Sequence, residues 1–153
     1  MVIRVERKSP AGKEAELEEL QAHAACSDVI AQFFRYVDSG QATRAAGLFT
    51  EDAEMSSGDL TATGEQIRAI LSIRETDGKR RLHFPTEISF ELTSPNEANA
   101  QTLLQLFVLN DENPQASPQV RAITHVDDVL VRTDGDGWRL SRRRVTILAG
   151  SEA

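Results

Sequence analysis

The sequence contains few residues of the types that form disulfides or bind transition metals. It has one cysteine, Cys26, and three histidines in 153 residues. A single cysteine cannot form an internal disulfide, and its neighbours Ala24, Ala25 and Val29 favour a small buried side chain in a reducing compartment. The histidines and the cysteine do not have the spacing of zinc ligands. We therefore expect no metal site.

Basic residues and long apolar runs are also scarce. Lysine and arginine number 17 against 24 aspartates and glutamates, which gives a formal net charge of -7. Because nucleic-acid binding depends on clustered cations that release counterions, this balance argues against a nucleic-acid partner. The one basic run, Arg142 to Arg144, is interpreted as a solvated sheet face. No stretch has the roughly 18 apolar residues of a membrane span or the apolar run of a signal peptide, so the sequence predicts a cytoplasmic protein with no membrane contact.

Apolar residues at helical spacing are present from about Glu14 onwards. They are Leu17, Leu20, Ala24, Ile30, Phe33, Phe34 and Val37. Their pattern predicts one long helix or two abutting helices, ended by Gly40. Residues 1–13 lack such periodicity, so we expect a flexible tail there and a single domain over residues 14–150.

The next segments alternate between helix and strand signals. A short helix is predicted over about 41–49, followed by a pair of short strands around the turn Ser57-Gly58-Asp59. The sequence from Thr63 to Gln66 fits a capping box and opens a third helix, which closes near Asp77-Gly78.

The period changes to two residues in the second half of the chain, as in strands with one buried face. Three long strands are predicted over about 81–93, 98–110 and 119–133. A fourth, over about 137–148, follows a tight turn at Asp134 to Gly137. Helices first and an antiparallel meander second predict an α+β domain, in which a strongly curved sheet wraps around the N-terminal helices as a cone open at one end.

Asp38 is a carboxylate in an unusual position. Counting back four and eight residues gives Phe34 and Ile30, so Asp38 continues the apolar face of its helix and points inward. An inward carboxylate at a helix end is a candidate general base or a partner for one. The alternative is that Asp38, Ser39 and Gly40 only form the turn that ends the helix.

Five short motifs follow one another along the chain: YVDSGQ, LFTEDAEM, TGEQIRAIL, LHFPTEISFEL and TDGDGWRLSRRRV. In this order, over roughly residues 15–148, they resemble the SnoaL-like branch of the nuclear transport factor 2-like superfamily. That branch includes polyketide cyclases, scytalone dehydratase, ketosteroid isomerase and hexachlorocyclohexane dehydrochlorinase. The resemblance implies a conical α+β barrel, a curved antiparallel sheet over three helices. It does not imply one activity, because the same fold serves lyases, isomerases, cyclases, hydrolases and domains without chemistry.

The resemblance also implies a catalytic pair, Asp38 and His83. In the dehydratase and dehydrochlorinase relatives, an aspartate that ends the first long helix pairs with a histidine that starts a long strand, and no metal or organic cofactor is needed. Strict alternation puts His83 on the face opposite Ile88 and Phe90, so the pair requires either that this face is concave or that a bulge at Pro85 resets the register. The alternative is a histidine bonded at a strand edge or a subunit contact. Some relatives have an asparagine where this chain has Glu87, which puts a direct transfer of substrate class in doubt.

Further residues are assigned to the same site. His125 is a third catalytic candidate, since alternation groups it with Asp127 either in the pocket or at a subunit interface. For the substrate pocket we assign the aromatic residues Phe34, Phe49, Phe107 and Trp138.

Three functions are compatible with these features. The first is a lyase or isomerase without cofactor, acting on a small hydrophobic cyclic molecule with His83 as base and Asp38 orienting it. The second is a non-catalytic module that binds a small molecule or mediates oligomerisation, and the third is a structural assembly subunit. We also expect self-association, as a dimer or alternatively a trimer, through an outer sheet face that carries Val120, Ile123, Val145 and Ile147.

Overall fold

The first helix, α1, spans Lys13–Asp38 without a break. The computed structural model describes residues 12–135 and 137–152, so the predicted tail lies outside the described residues except for Gly12 and Lys13. Of the two forms that the periodicity allows, the structure has one helix of 26 residues. The residues buried on it are Ala22, Cys26, Ile30, Phe33, Phe34 and Val37.

The predicted apolar stripe of α1 is wrong in its first turns. Leu17 and Leu20 are 54% and 59% exposed, and Ala22 is buried instead. At 100° per residue, Leu20 lies about 200° away from Ala22 around the helix, so the face set by Ile30 and Phe34 does not include it. Ala24 is exposed as well, so α1 follows the predicted stripe only from Ile30 onwards.

Two shorter helices connect α1 to the sheet. A 3₁₀ helix over Ala42–Leu48 and a second α-helix, α2, over Glu65–Thr76 lie where helices were predicted. The capping box before α2 is half formed. The Gln66 side chain accepts a hydrogen bond from the Thr63 backbone N–H at 3.0 Å, but no side chain bonds back from the N-cap residue, which is Gly64.

The described residues form one open, six-stranded sheet. Its strands are β1 (Phe49–Ser57), β2 (Leu60–Thr63), β3 (Arg81–Ser94), β4 (Glu97–Val108), β5 (Val120–Thr133) and β6 (Gly137–Gly150). They lie in the order β2-β1-β6-β5-β4-β3. The β1–β6 pair is parallel and the other pairs are antiparallel. The sheet is thus mixed but mainly antiparallel, as the fold prediction requires, and β3 is an edge strand.

A bulge in β3 decides which of its side chains face α1. The pairing with β4 shifts between Glu87 and Ser89. Before the shift, odd-numbered Arg81 and His83 are buried, and after it, even-numbered Phe90 packs against the core. One extra residue moves every later side chain to the other face of a strand. The predicted reset of register is therefore present, but it lies around Ile88 and not at Pro85.

The core lies between α1 and the inner face of the sheet. On β5 the even-numbered residues from Ala122 to Leu130 are buried and the odd-numbered ones are partly exposed. Cys26 is fully buried in this core, and burial raises the pKa of its thiol to about 12. None of the helices in the described residues combines the length and the apolar character that a membrane crossing requires.

Candidate active site

Asp38 and His83 form a close hydrogen-bonded pair at the end of α1. The Asp38 Oδ1 and His83 Nδ1 atoms are 2.5 Å apart, and Asp38 Oδ2 accepts a hydrogen bond from the His83 backbone N–H at 2.8 Å. The His83 side chain is 3% exposed and that of Asp38 is 15% exposed. A carboxylate accepts hydrogen bonds only, so the pair defines a tautomer with the proton on Nδ1. Nε2 is then the ring nitrogen that is available as a base.

The local structure explains why these two residues meet. Phe34 lies one helical turn before Asp38, and its ring packs 5.2 Å from the centre of the His83 ring. The inward face of α1 thus places both the Phe34 ring and the Asp38 carboxylate next to the start of β3. The second bond from Asp38 to the His83 backbone holds the edge strand against the helix end, so the imidazole is held in one orientation.

His83 lines a largely apolar cavity of about 500 Å³ between α1, α2 and the inner face of the sheet. Its apolar wall includes Phe33, Phe34, Met55, Ala62, Leu71, Leu104, Val126 and Val145, and its polar wall includes Ser57, Thr61, Arg74, His83, Arg143 and Glu152. Its volume lies within the range of pockets that hold small organic ligands. Asp38 borders a second, more open groove on the outer side of α1, which His83 and Phe34 also line. The pair therefore stands between the cavity and solvent.

Arg143 is a cavity residue that the sequence interpretation missed. Its Nε and Nη2 atoms donate to the two carboxylate oxygens of Asp128 at 2.7 and 2.8 Å, and the two side chains are 2% and 0% exposed. The guanidinium carbon lies 4.4 Å from the ring centre of Phe33 and 5.3 Å from that of Phe34. A bidentate pair and two aromatic faces are the environment in which a buried arginine stays charged.

The solvated interpretation of the basic run is right for two of its three residues. Arg142 and Arg144 are exposed, whereas Arg143 between them points inward. If the antiparallel pairing of β5 and β6 continued without a shift from the pair Thr133 and Gly137, Arg142 would lie opposite Asp128. A register shift between Val129 and Leu130 places Arg143 there instead. Alternation along β5 marks Asp128 as inward, which is the signal that could have identified an inward partner.

Arg74, in the last turn of α2, also lines the cavity. Burial lowers the pKa of its guanidinium and the nearby charge of Arg81 lowers it further, while Glu152, Asp77 and Asp38 raise it. The Arg81 guanidinium, two residues before His83, is 6% exposed and forms a two-bond fork with Asp77 at 3.1 and 2.7 Å. The bond from Arg81 is the main reason that the pKa of Asp77 falls to about 2.

His125, the third catalytic candidate, lies on the other face of the sheet. Its neighbours Thr124 and Val126 are buried toward α1, so the His125 side chain points outward. There its Nδ1 lies 3.2 Å from Asp127 Oδ2, and the two side chains are 27% and 43% exposed. The structure does not bring His125 to the Asp38–His83 pair, because strand alternation separates them.

The Glu87 carboxylate is hydrogen-bonded to α1 and does not line the cavity. Its carboxylate oxygens lie 2.8 and 2.7 Å from His23 Nε2 and accept a bond from the Ser27 hydroxyl at 3.1 Å. The His23 ring stacks on Phe90 with 4.5 Å between the ring centres. The chain therefore holds another carboxylate–histidine pair along α1, separate from the one at Asp38.

Of the four aromatic residues assigned to the pocket, the structure places one in the cavity wall. Phe34 lines it. Phe49 is 5% exposed and packs edge-on to Phe33, deeper in the core. Phe107 lies on the outer face, where it contacts Phe84 edge-on at 5.4 Å. Trp138 borders a separate recess of about 230 Å³ near the start of α1. Phe107 lies outside the cavity because strand alternation turns its side chain to the outer face. Trp138 lies outside it because the start of β6 is far from the end of α1.

The arrangement defines a class of protein: a small α+β domain with an open sheet, a cavity between sheet and helices, and an aspartate–histidine pair whose histidine lines the cavity. The chain belongs to the SnoaL-like domain family, whose pattern matches residues 18–144. No curated protein matches the sequence significantly. In the described residues, no group of three or more His, Cys, Asp or Glu side chains is placed to hold a metal ion.

Solved structures share the fold at low sequence identity. A candidate scytalone dehydratase from Novosphingobium aromaticivorans aligns with a TM-score of 0.76 at 20% identity, over 90% of this chain and 91% of that one. An NTF2-like protein with a cystatin-like fold from the same organism aligns with a TM-score of 0.76 at 23% identity, over 96% and 95%. A hexachlorocyclohexane dehydrochlorinase from Novosphingobium barchaimii LL02 aligns with a TM-score of 0.72 at 21% identity, over 89% and 92%. These likenesses confirm the predicted α+β fold, and the family match confirms the predicted SnoaL-like relationship.

Proposed function

We propose that the protein is a lyase or isomerase that uses no cofactor and acts on a small hydrophobic cyclic molecule through Asp38 and His83. The observation that carries this proposal is the 2.5 Å contact between Asp38 and a buried imidazole in the wall of an apolar cavity. Membership of a family with dehydratase and dehydrochlorinase structures among its neighbours supports the same class of reaction.

The proposed reaction begins with proton transfer from carbon. His83 Nε2 takes a proton from a ring carbon next to an electron-withdrawing group, and the C–H electron pair forms a double bond to the neighbouring carbon. In an elimination, the leaving group departs from that neighbour with its bonding electron pair. In an isomerisation, the neighbouring carbon is a carbonyl carbon, so its C=O π electron pair moves onto the oxygen as the new double bond forms. The enolate then re-forms the carbonyl as the imidazolium returns the proton to another carbon of the conjugated system. Asp38 stabilises the imidazolium in both cases.

Arg143 contributes the positive charge that the reaction needs in the same cavity. The developing negative charge lies on a leaving group or an enolate oxygen, and an oriented cation in an apolar site stabilises it strongly. Asp128 fixes the guanidinium by its two-bond fork, which uses Nε and Nη2 and leaves Nη1 outside the fork. Arg143 is thus already oriented before the substrate binds.

The test is a search for carbon proton transfer in deuterated water. Cyclic ketones, hydroxynaphthalenes and chlorinated rings are incubated with the protein, and deuterium incorporation, water loss and chloride release are followed by NMR and mass spectrometry. We expect at least one compound class to exchange or eliminate faster than in buffer. Saturable binding in the cavity with no exchange for any class would instead identify a non-catalytic binding module.

The chain self-associates through the outer face of the sheet. Phe84 and Val120 are 50% and 47% exposed on this face, where Phe107 contacts Phe84 and is paired with Val120. The sequence analysis also placed Val145 and Ile147 on the outer face, but Val145 lines the inner cavity and Ile147 is paired with the inward-facing Thr124. Sedimentation velocity is expected to give twice the chain mass of 16.9 kDa, or three times for the trimeric alternative. A Phe84→Asp variant should sediment as a single chain, whereas Leu17→Asp, an equally exposed apolar site on α1, should not change the mass.

A further inference from the structure

Arg74 differs from the other arginines around the cavity in having no bonded partner. Arg143 is paired with Asp128 and Arg81 with Asp77. Over residues 12–135 and 137–152, the Arg74 side chain has no hydrogen bond or ion pair, although it lines the cavity and is partly buried. A guanidinium withdrawn from water loses hydration that only an anion or several acceptors can replace. An unpaired arginine in a mostly apolar wall therefore indicates a position for an anionic ligand group.

The surrounding charges are consistent with this position. Glu152, close to the end of the chain, lines the same cavity and is the nearest source of negative charge on the wall, but it forms no ion pair with Arg74. Asp38, whose charge also reaches Arg74, already has both oxygens bonded to His83. Neither Glu152 nor Asp38 therefore bonds to the Arg74 guanidinium. The planar guanidinium can donate two parallel hydrogen bonds to the two oxygens of a ligand carboxylate.

We propose that Arg74 binds a carboxylate group of the cyclic substrate, so that the cavity takes aromatic or alicyclic carboxylic acids in preference to neutral rings. The ring occupies the apolar part of the cavity beside Phe34, and its acid group points to α2. The inference rests on the proposed function for the bound molecule being a substrate. Arg74 then sets the orientation of the ring relative to His83, as a specificity-determining residue.

The experiment compares two ligands that differ only in charge. Binding of 2-naphthoate and of 2-naphthamide is measured by isothermal titration calorimetry at neutral pH and low salt. We expect the wild-type protein to bind 2-naphthoate at least about tenfold more tightly, since one charged pair in a partly desolvated site contributes an energy of this order. Arg74→Gln should remove the preference, Arg74→Lys should keep part of it, and Arg68→Gln, which removes an exposed arginine of α2, should keep it fully.

Three results would overturn the proposal: equal affinity for the two ligands in the wild-type protein, binding of neither ligand, or a preference that survives Arg74→Gln in a variant shown by circular dichroism to be folded. A Glu152→Gln variant provides an independent test of the charge at this position. Because it removes a competing negative charge, it should tighten 2-naphthoate binding several-fold and leave 2-naphthamide unchanged.

The binding measurement separates this inference from the proposed reaction. A His83→Ala variant should keep the preference for 2-naphthoate, since the carboxylate site does not depend on proton transfer. If no compound exchanges or eliminates but the preference depends on Arg74, the proposed reaction fails and the anion site stands. If exchange occurs but the preference is absent, the reaction stands and the role of Arg74 fails.

Discussion

Replacing His83 by alanine is expected to lower the rate of proton transfer from carbon by about 10²- to 10⁴-fold, the contribution typical of a positioned general base. The loss should appear in kcat more than in KM, because the imidazole acts on the reacting carbon and the cavity wall still binds the ring. The measurement is the deuterium-exchange or elimination rate of whichever compound the wild-type protein turns over.

Asp38→Asn tests the second member of the pair by the same assay. The amide keeps the shape of the carboxylate but can donate to Nδ1, which favours the tautomer with the proton on Nε2 and leaves no base facing the cavity. We expect a loss close to that of His83→Ala, and a double variant no slower than the slower single variant, since the two residues act as a unit.

His23→Ala is the matched control for both variants. His23 forms the same kind of carboxylate pair, with Glu87, but does not line the cavity. Its replacement should leave the rate within about twofold of wild type, since the two side chains are 31% and 38% exposed and such partly exposed pairs contribute little. A His23→Ala variant as slow as His83→Ala would show that the loss follows from the fold and not from the base.

Replacing Asp128 by alanine is expected to lower the free energy of unfolding by about 3 to 5 kcal/mol, because it leaves the Arg143 guanidinium charged and unpaired in the core. Both side chains are at most 2% exposed, so water cannot replace the lost carboxylate. The change is measured as a shift in the midpoint of urea denaturation with an unchanged slope.

Two further variants make the Asp128 prediction specific. Asp127→Ala removes the neighbouring aspartate, which is 43% exposed on the opposite face, and should cost about 1 kcal/mol or less. The double variant Asp128→Leu with Arg143→Met replaces the pair by apolar side chains and should be more stable than Asp128→Ala alone. Equal denaturation midpoints for Asp128→Ala and Asp127→Ala would contradict the conclusion that the buried Asp128–Arg143 ion pair stabilises the fold.

The bounds of the elements were largely predictable because the periodicity is strong and local. The change from a period of 3.6 to a period of 2 near Arg81, and the turn that separates β5 from β6, place the long strands within a few residues of their observed ends. Asp38 was also predictable as an inward residue, because it continues a helical face that Ile30 and Phe34 define.

Which face of each strand points inward was less predictable, because a single bulge reverses it. The shift after Glu87 puts His83 and Phe90 on the same side of β3. The shift after Val129 replaces Arg142 by Arg143 as the partner of Asp128. A bulge has no reliable signature in a single sequence, since it depends on how two strands twist against each other and against α1.

The sequence by itself determined the element order, the inward carboxylate at the end of α1 and the antiparallel meander, because these follow from side-chain periodicity along one segment. The tertiary structure alone decided that His83 meets Asp38, that Arg143 lines the same cavity as His83, and that His125, Phe107 and Trp138 lie elsewhere. Those outcomes depend on contacts between segments far apart in the sequence, 45 residues in the case of Asp38 and His83, and the strand register that sets them depends on the packing of the whole sheet on α1.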